Sequence, residues 1–104
     1  MSKRLAFLEK VTADGSQDPM AWYGLAMEYR ALGRTDEALQ TFSALRQSHP
    51  EYVPTFLMCG QMLEGAGRRN EARDWLEAGV VVARAARNTH ALSELEQALA
   101  ALAD

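Results

Sequence analysis

The chain has 104 residues, enough for one domain, and a domain of this size buries only about 60 to 65 % of its unfolded surface. Hydrophobic residues make up 48 % and charged residues 24 %, a balance that excludes an intrinsically disordered chain. The net charge is −3 and the arginines alternate with acidic residues, so we expect no nucleic-acid partner.

The first predicted helix covers residues 3–13, with Leu5, Leu8 and Val11 on one stripe. Its apolar patch spans only residues 5–8, which is too short for a signal peptide core or a membrane span. We therefore read it as a helix of the mature protein and expect no membrane partner.

Two helices follow, separated by Gly33. The first opens with Asp18 as its N-cap and Pro19 at its first position, and it ends before Gly33. The second starts at Thr35 and stops before Pro50. Their apolar residues, at spacings of three and four, are Trp22, Leu25, Ala26, Tyr29 and Leu32 in the first helix and Ala38, Phe42 and Leu45 in the second.

The next segments repeat this arrangement. In "PTFLMCGQMLEGAG" the residues Phe56, Cys59, Gly60 and Leu63 stand where Trp22, Leu25, Ala26 and Tyr29 stood before. A longer helix runs from residue 69 to about residue 87; its three consecutive valines have strand propensity, but the flanking Ala, Arg and Glu favour helix. A last helix covers residues 89–103 and carries a stripe of Leu92, Leu95, Leu99 and Leu102.

The stretch "GRTDEALQTF" at residues 33–42 returns 34 residues later as "GRRNEARDWL" at residues 67–76. A helix pair with this period and this order of large, small and helix-ending residues resembles the tetratricopeptide repeat family. Residues 19–52 match the pattern strongly through Trp22, Leu25, Ala26, Tyr29, Gly33, Ala38, Phe42 and Pro50. Residues 53–86 match more loosely, since Cys59 replaces the usual leucine and Arg84 holds the place of the closing proline.

The resemblance implies an all-α fold, an α-solenoid of antiparallel helix pairs with about six helices in a right-handed superhelical stack. We expect one domain over residues 1–104, made of a leading helix 3–13, repeats at 19–52 and 53–86, and a C-terminal capping helix at 89–103. Each helix pair leaves an apolar face that only its neighbours can cover. The rings of Trp22, Phe42, Phe56 and Trp75 are therefore expected inside the stack.

Catalytic, metal-binding and cofactor-binding residues are not predicted. Cys59 with His49 or His90 as a base is a remote alternative as a thiol enzyme, because Cys59 falls on the apolar stripe of its helix. The two histidines have no other ligand at metal-binding spacing. A lone cysteine fits a reduced, cytoplasmic location.

The family resemblance implies a non-enzymatic protein interaction module, an adaptor, scaffold or complex subunit, that binds a peptide or amphipathic helix in a concave groove. Carried onto this sequence, the groove residues are Met20, Tyr23, Met27 and Arg30 from one repeat and Leu57, Gln61 and Glu64 from the next. The wall is mostly apolar, and methionine adapts its shape easily to a partner. Some of these side chains could instead pack against the first or last helix.

Two alternatives concern the partner. A subclass of the family clamps chaperone C-termini with Lys and Asn, but here the corresponding residues are Tyr23, Met27 and Gln61, so we do not expect that ligand. The chain could also be a self-associating structural protein, a homodimer that meets through apolar helix faces. For the leucine stripe of the last helix we favour packing within the chain.

Overall fold

A computed structural model of the protein describes residues 2–103, and in this range the chain forms six α-helices and no β-strand. The helices are α1 (Lys3–Ala13), α2 (Pro19–Ala31), α3 (Thr35–Ser48), α4 (Pro54–Gly65), α5 (Arg69–Ala85) and α6 (Thr89–Leu102). The predicted all-α fold is confirmed. The helices divide into two compact units, α1 to α3 before Pro50 and α4 to α6 from Pro50 onwards.

Three helices begin with a side chain that caps a backbone N–H group. The Ser2 hydroxyl accepts from the backbone of Leu5, Asp18 Oδ1 accepts from Met20 at 3.0 Å, and Asn88 Oδ1 accepts from Ala91 at 3.0 Å. Each of these bonds satisfies a donor that has no partner within its helix. The predicted start of α2 at Asp18 and Pro19 is confirmed.

The helices α3 and α5 begin in a different way, and the repeated stretch of sequence explains it. Arg34 precedes α3 and forms a two-bonded ion pair with the Glu37 carboxylate, at 2.6 and 2.7 Å. Arg68 precedes α5 and holds Glu71 in the same way, at 2.8 and 2.9 Å. Both carboxylates lie in the first helical turn, where the helix dipole favours a negative charge.

Four helices, α1, α2, α4 and α5, end in the same hydrogen-bonded turn. The backbone N–H groups of Arg34, Arg68 and Asn88 each donate to the carbonyl five residues earlier at 2.9 Å, and that of Ser16 donates in the same way to Val11 at 3.2 Å. The residue before each donor takes a positive φ, which Gly33 and Gly67 adopt readily and Arg87 adopts at 57°. Arg87 therefore ends α5 at Ala85, and the predicted end at about residue 87 is two residues too late.

In the first unit, α2 packs against both α1 and α3. The core is formed by side chains that are completely buried: Leu5, Ala26, Ala38, Phe42 and Leu45. Trp22 is only half-buried, which corrects the expectation that its ring is enclosed. Its indole N–H donates to the Ser16 carbonyl at 2.8 Å, and this bond holds the ring at the edge of the unit, beside the loop that precedes α2.

In the second unit, α5 packs against both α4 and α6. The buried rings of Phe56 and Trp75 meet at a centroid distance of 6.1 Å, within the range favoured by tilted aromatic pairs. Two leucines of α6, Leu95 and Leu102, are buried in this core, and the other two of the stripe are half-buried. The leucine stripe of the last helix thus packs within its own unit.

None of the helices within residues 2–103 has both the length and the hydrophobicity that crossing a bilayer requires.

Candidate functional site

The four predicted groove residues of α2 lie on one stripe, which we call the α2 wall: Met20, Tyr23, Met27 and Arg30. Met20 is 68 % exposed and the other three are half-buried. Their spacing of three and four residues places them together on the helix surface. The α2 wall therefore combines two flexible thioethers, an aromatic ring and a cation.

The helix α1 contacts α2 along the neighbouring stripe. A side-chain carbon added at Gly24 would lie 3.5 Å from the Leu8 methyl groups, and Arg4 Nε lies 3.0 Å from a carboxylate oxygen of Glu28. These contacts place α1 beside Gly24 and Glu28, and Met20 remains exposed.

A second polar contact between α1 and α2 involves Tyr29, near the end of α2. The Tyr29 hydroxyl donates to Glu9 Oε2 at 2.6 Å, and the Arg34 guanidinium lies 4.8 Å from the centre of the tyrosine ring. The hydrogen bond to Glu9, then burial, raise the pKa of Tyr29 to about 12. Tyr29 therefore stays protonated at neutral pH, and we assign it a structural role.

The predicted groove residues of α4 differ among themselves in exposure. Gln61 and Glu64 are exposed, whereas Leu57 is only 8 % exposed. Leu57 belongs to a cleft between the start of α4 and the start of α6, which we call the α4–α6 cleft. It is lined by Val53, Pro54, Leu57, Met58, Asn88, His90, Ala91 and Glu94. Leu57 thus lies in a recess beside α6 and is not part of an open wall.

The α6 side of the cleft carries its polar groups. His90 Nε2 lies 3.3 Å from Glu94 Oε1, one helical turn along, and the His90 side chain is 87 % exposed. Asn88 caps the helix next to them. Asn88, His90, Ala91 and Glu94 were not predicted as site residues. The alternation of first and second helices could have indicated them. α6 follows a complete helix pair, so in a longer array it would be the first helix of the next pair, and first helices line the groove.

The structure shows the surroundings of two residues considered for catalysis, Cys59 and His90. Cys59 is completely buried in α4, where a substrate has no access to the thiol. His90 is exposed on α6 and interacts with Glu94. Within residues 2–103 no three side chains of His, Cys, Asp or Glu come together in a way that would hold a metal ion.

The chain is similar to known proteins in sequence and in fold. Residues 19–62 match a family model described as a tetratricopeptide repeat. A tetratricopeptide repeat domain protein from Salinibacter ruber is 33 % identical in its crystal structure, with a TM-score of 0.75 over 82 % of this chain and 96 % of that one. Its solution structure gives a TM-score of 0.77, with 33 % identity over 82 % of this chain and 86 % of that one. A protein from Bordetella parapertussis, solved in solution, is 26 % identical, with a TM-score of 0.83 over 98 % of this chain and 89 % of that one.

Proposed function

This chain belongs to the tetratricopeptide repeat family, and from this premise we propose that it is a non-enzymatic interaction module, an adaptor, scaffold or complex subunit, that binds a peptide or helix of a protein partner. The proposed contact residues lie on the first helix of each pair, in two places. One is the α2 wall with Met20, Tyr23, Met27 and Arg30; the other is the α4–α6 cleft with Leu57, together with Gln61 and Glu64 further along α4.

The observation that carries the proposal is the α4–α6 cleft. Its α4 side is apolar, through Val53, Pro54, Leu57 and Met58. Its volume of about 260 Å³ is below the usual range of about 300 to 1,000 Å³ for small-molecule sites. A recess of this size accepts one or two apolar side chains of a polypeptide, which supports a peptide ligand over a cofactor.

The polar groups of the cleft indicate the chemistry of the ligand. Asn88, His90 and Glu94 lie along one side, and such groups can pair with the main chain of an extended peptide. Glu94 is a carboxylate, and Glu64 is exposed on α4. The proposed ligand therefore has apolar residues next to a lysine or arginine.

The α2 wall supports the same class of ligand. Met20 and Met27 are unbranched and polarisable, so they can adapt to different apolar side chains. Tyr23 adds a large contact area with little loss of conformational freedom on binding. An exposed methionine beside a half-buried tyrosine is a typical composition for a protein-binding surface.

The proposal can be tested by placing a photo-crosslinking amino acid at Met20 and, separately, at Met58, and identifying the captured peptide by mass spectrometry. Binding of the synthetic peptide is then measured by fluorescence anisotropy. We expect Tyr23→Glu with Met27→Glu to weaken binding by at least about tenfold, because both changes put a charge into an apolar contact. Gln40→Glu with Gln47→Glu changes the net charge equally on exposed residues of α3 and should leave the affinity unchanged.

The cleft has its own pair of variants. Ala91→Arg fills the cleft and places a cation beside Glu94, so we expect it to block the peptide. Ala100→Arg makes the same change at an exposed position near the end of α6 and is the matched control. Full affinity in the Ala91→Arg variant would remove the cleft from the binding site, and full affinity in the Tyr23 and Met27 variant would remove the α2 wall.

A further inference from the structure

One face of α5 lies outside the α2 wall and the α4–α6 cleft and exposes apolar side chains to solvent. The charged Asp74 begins this face and is followed by Ala78, Val81 and Ala85, at spacings of four, three and four residues, the pattern of a helix that packs against a second helix. We call these four residues the α5 seam. Val81 is 66 % exposed, so this branched apolar side chain, one turn before the end of α5, contributes little to the core of its own unit.

The seam continues into an apolar cleft of about 390 Å³. The cleft is lined by Val81, Val82, Ala85 and Ala86 of α5 and by Pro50 and Glu51 of the preceding loop. Glu51 is the one charged residue among these six. The alanines leave space for the backbone of another helix to come close, while the valines supply the apolar area that such a contact would bury.

Two opposite charges border the seam on one side. Glu77 and Arg84 are seven residues apart, two helical turns, and both are exposed. Arg84 lies 3.7 Å from Glu96 of α6, but the two side chains are 65 % and 56 % exposed. An ion pair as open as this is weak, so Arg84 can exchange Glu96 for another carboxylate.

We propose that a second copy of this chain docks on the α5 seam, with the two α5 helices antiparallel. In the register that places Ala78 opposite Val81 of the second copy, Glu77 and Arg84 of the second copy border the seam on the same side, two residues or about 3 Å out of line along the axis, so their long side chains can form an ion pair. The twofold symmetry repeats both contacts. A parallel arrangement would place Glu77 beside Val82 and Arg84 beside Thr89, with no ion pair, so the charge pattern selects the antiparallel one.

The size of the seam sets the expected strength of the dimer. From Asp74 to Ala85 the helix is about 18 Å long, a little over three turns. A contact of that length buries less than the standard interface area of about 1,600 Å². We therefore expect a reversible dimer with a dissociation constant in the micromolar range, which weakens as salt screens the two ion pairs.

Sedimentation equilibrium over the micromolar range tests the proposal with charge-reversal variants of the full chain. We expect Glu77→Arg and Arg84→Glu each to weaken dimerisation by roughly tenfold, because each puts like charges opposite one another at both symmetry-related positions. The double variant exchanges the two charges and should dimerise as the original chain does. A mixture of the two single variants should form a heterodimer, since each glutamate then faces an arginine.

The controls separate the register from general charge and folding effects. Glu77→Arg and Arg84→Glu shift the net charge in opposite directions, so a pure net-charge effect would strengthen one dimer and weaken the other. Lys10→Glu makes the same change in net charge as Arg84→Glu on α1, outside the seam, and should leave the dimer unchanged. Circular dichroism of each variant should show unchanged helicity.

Two results would overturn the proposal. The first is an original chain that remains monomeric across this range at low salt. The second is a mixture of the two single variants that associates no better than either variant alone. A heterodimer in the mixture, together with restored dimerisation in the double variant, would support both a second copy of the chain as the partner and the antiparallel register. Loss of dimerisation leaves peptide binding to the α2 wall untouched, so the two proposals fail separately.

Discussion

Replacing Gly79 with alanine tests how closely the three helices of the second unit approach one another. A side-chain carbon at this position would lie 2.6 Å from Phe56 Cβ of α4 and 2.8 Å from a methyl group of Leu95 of α6. Both distances are too short for carbon atoms. Phe56 Cβ is attached to the backbone and both neighbours are buried, so neither can move away easily.

The size of the effect follows from two opposing contributions. Alanine favours a helix over glycine by about 0.8 to 1 kcal/mol, whereas an extra methyl group in a tightly packed core costs about 1 to 3 kcal/mol. We expect Gly79→Ala to lower the free energy of unfolding by up to about 2 kcal/mol. Gly65, the last residue of α4, has no atom within 4 Å of an added carbon, so Gly65→Ala should raise it by up to about 1 kcal/mol.

The two variants are compared by thermal unfolding, followed by far-ultraviolet circular dichroism, and by urea titration. The two variants gain the same helix propensity and differ by the cost of the crowded methyl group, about 1 to 3 kcal/mol, which for a domain of this size separates the two Tm values by about 4 to 20 °C. If Gly79→Ala proves as stable as Gly65→Ala, the helices α4, α5 and α6 do not meet at Gly79. The packing of the second unit would then need to be revised.

Two further predictions concern the first unit. In urea titrations Phe42→Ala should lower the free energy of unfolding by roughly 3 to 5 kcal/mol, and Trp22→Ala by about half as much. The reason is that the Phe42 ring is completely buried and the Trp22 ring is not. Equal losses in the two variants would contradict the difference in burial. The pKa of Tyr29 lies near 12 in the folded chain, above its ordinary value of 10.0, so its contribution to stability is fully present below pH 10.0 and is lost as the pH rises through about 12. Ultraviolet titration of tyrosinate should show a late component that moves towards pH 10.0 in Glu9→Gln and disappears in Tyr29→Phe; a late component that survives in Tyr29→Phe belongs to another group.

The positions of the helices could be predicted because each boundary has a local cause. Asp18 and Pro19 start α2 through a side-chain cap and a fixed backbone angle, both of which involve neighbouring residues only. Gly33 and Gly67 end their helices because each takes a positive φ in the turn that follows. Interactions within one or two turns can be read from sequence without knowledge of the rest of the fold.

The errors have a cause that lies beyond the local sequence. The end of α5 was placed about two residues late because Arg87 adopts a backbone conformation that is uncommon outside glycine. The burial of Trp22 was overestimated because its indole N–H binds the Ser16 carbonyl in the preceding loop. In both cases residue type and periodicity predicted the usual structure. The actual structure differs because of a backbone angle at Arg87 and a hydrogen bond of Trp22 that are specific to this chain.

The candidate site shows why a repeat pattern predicts a core better than a binding surface. Tyr23 and Leu57 are 34 residues apart and occupy equivalent positions on α2 and α4, yet Tyr23 is half-buried and Leu57 is almost completely buried. Inward positions must be apolar in every repeat, because each helix pair needs the same kind of neighbour. Outward positions depend on what lies next to the helix, and for Leu57 this is the start of α6 with His90 and Ala91. The proposed contact residues thus lie at positions where the repeat imposes no requirement, and only the arrangement of the helices brings Leu57 together with His90 and Ala91.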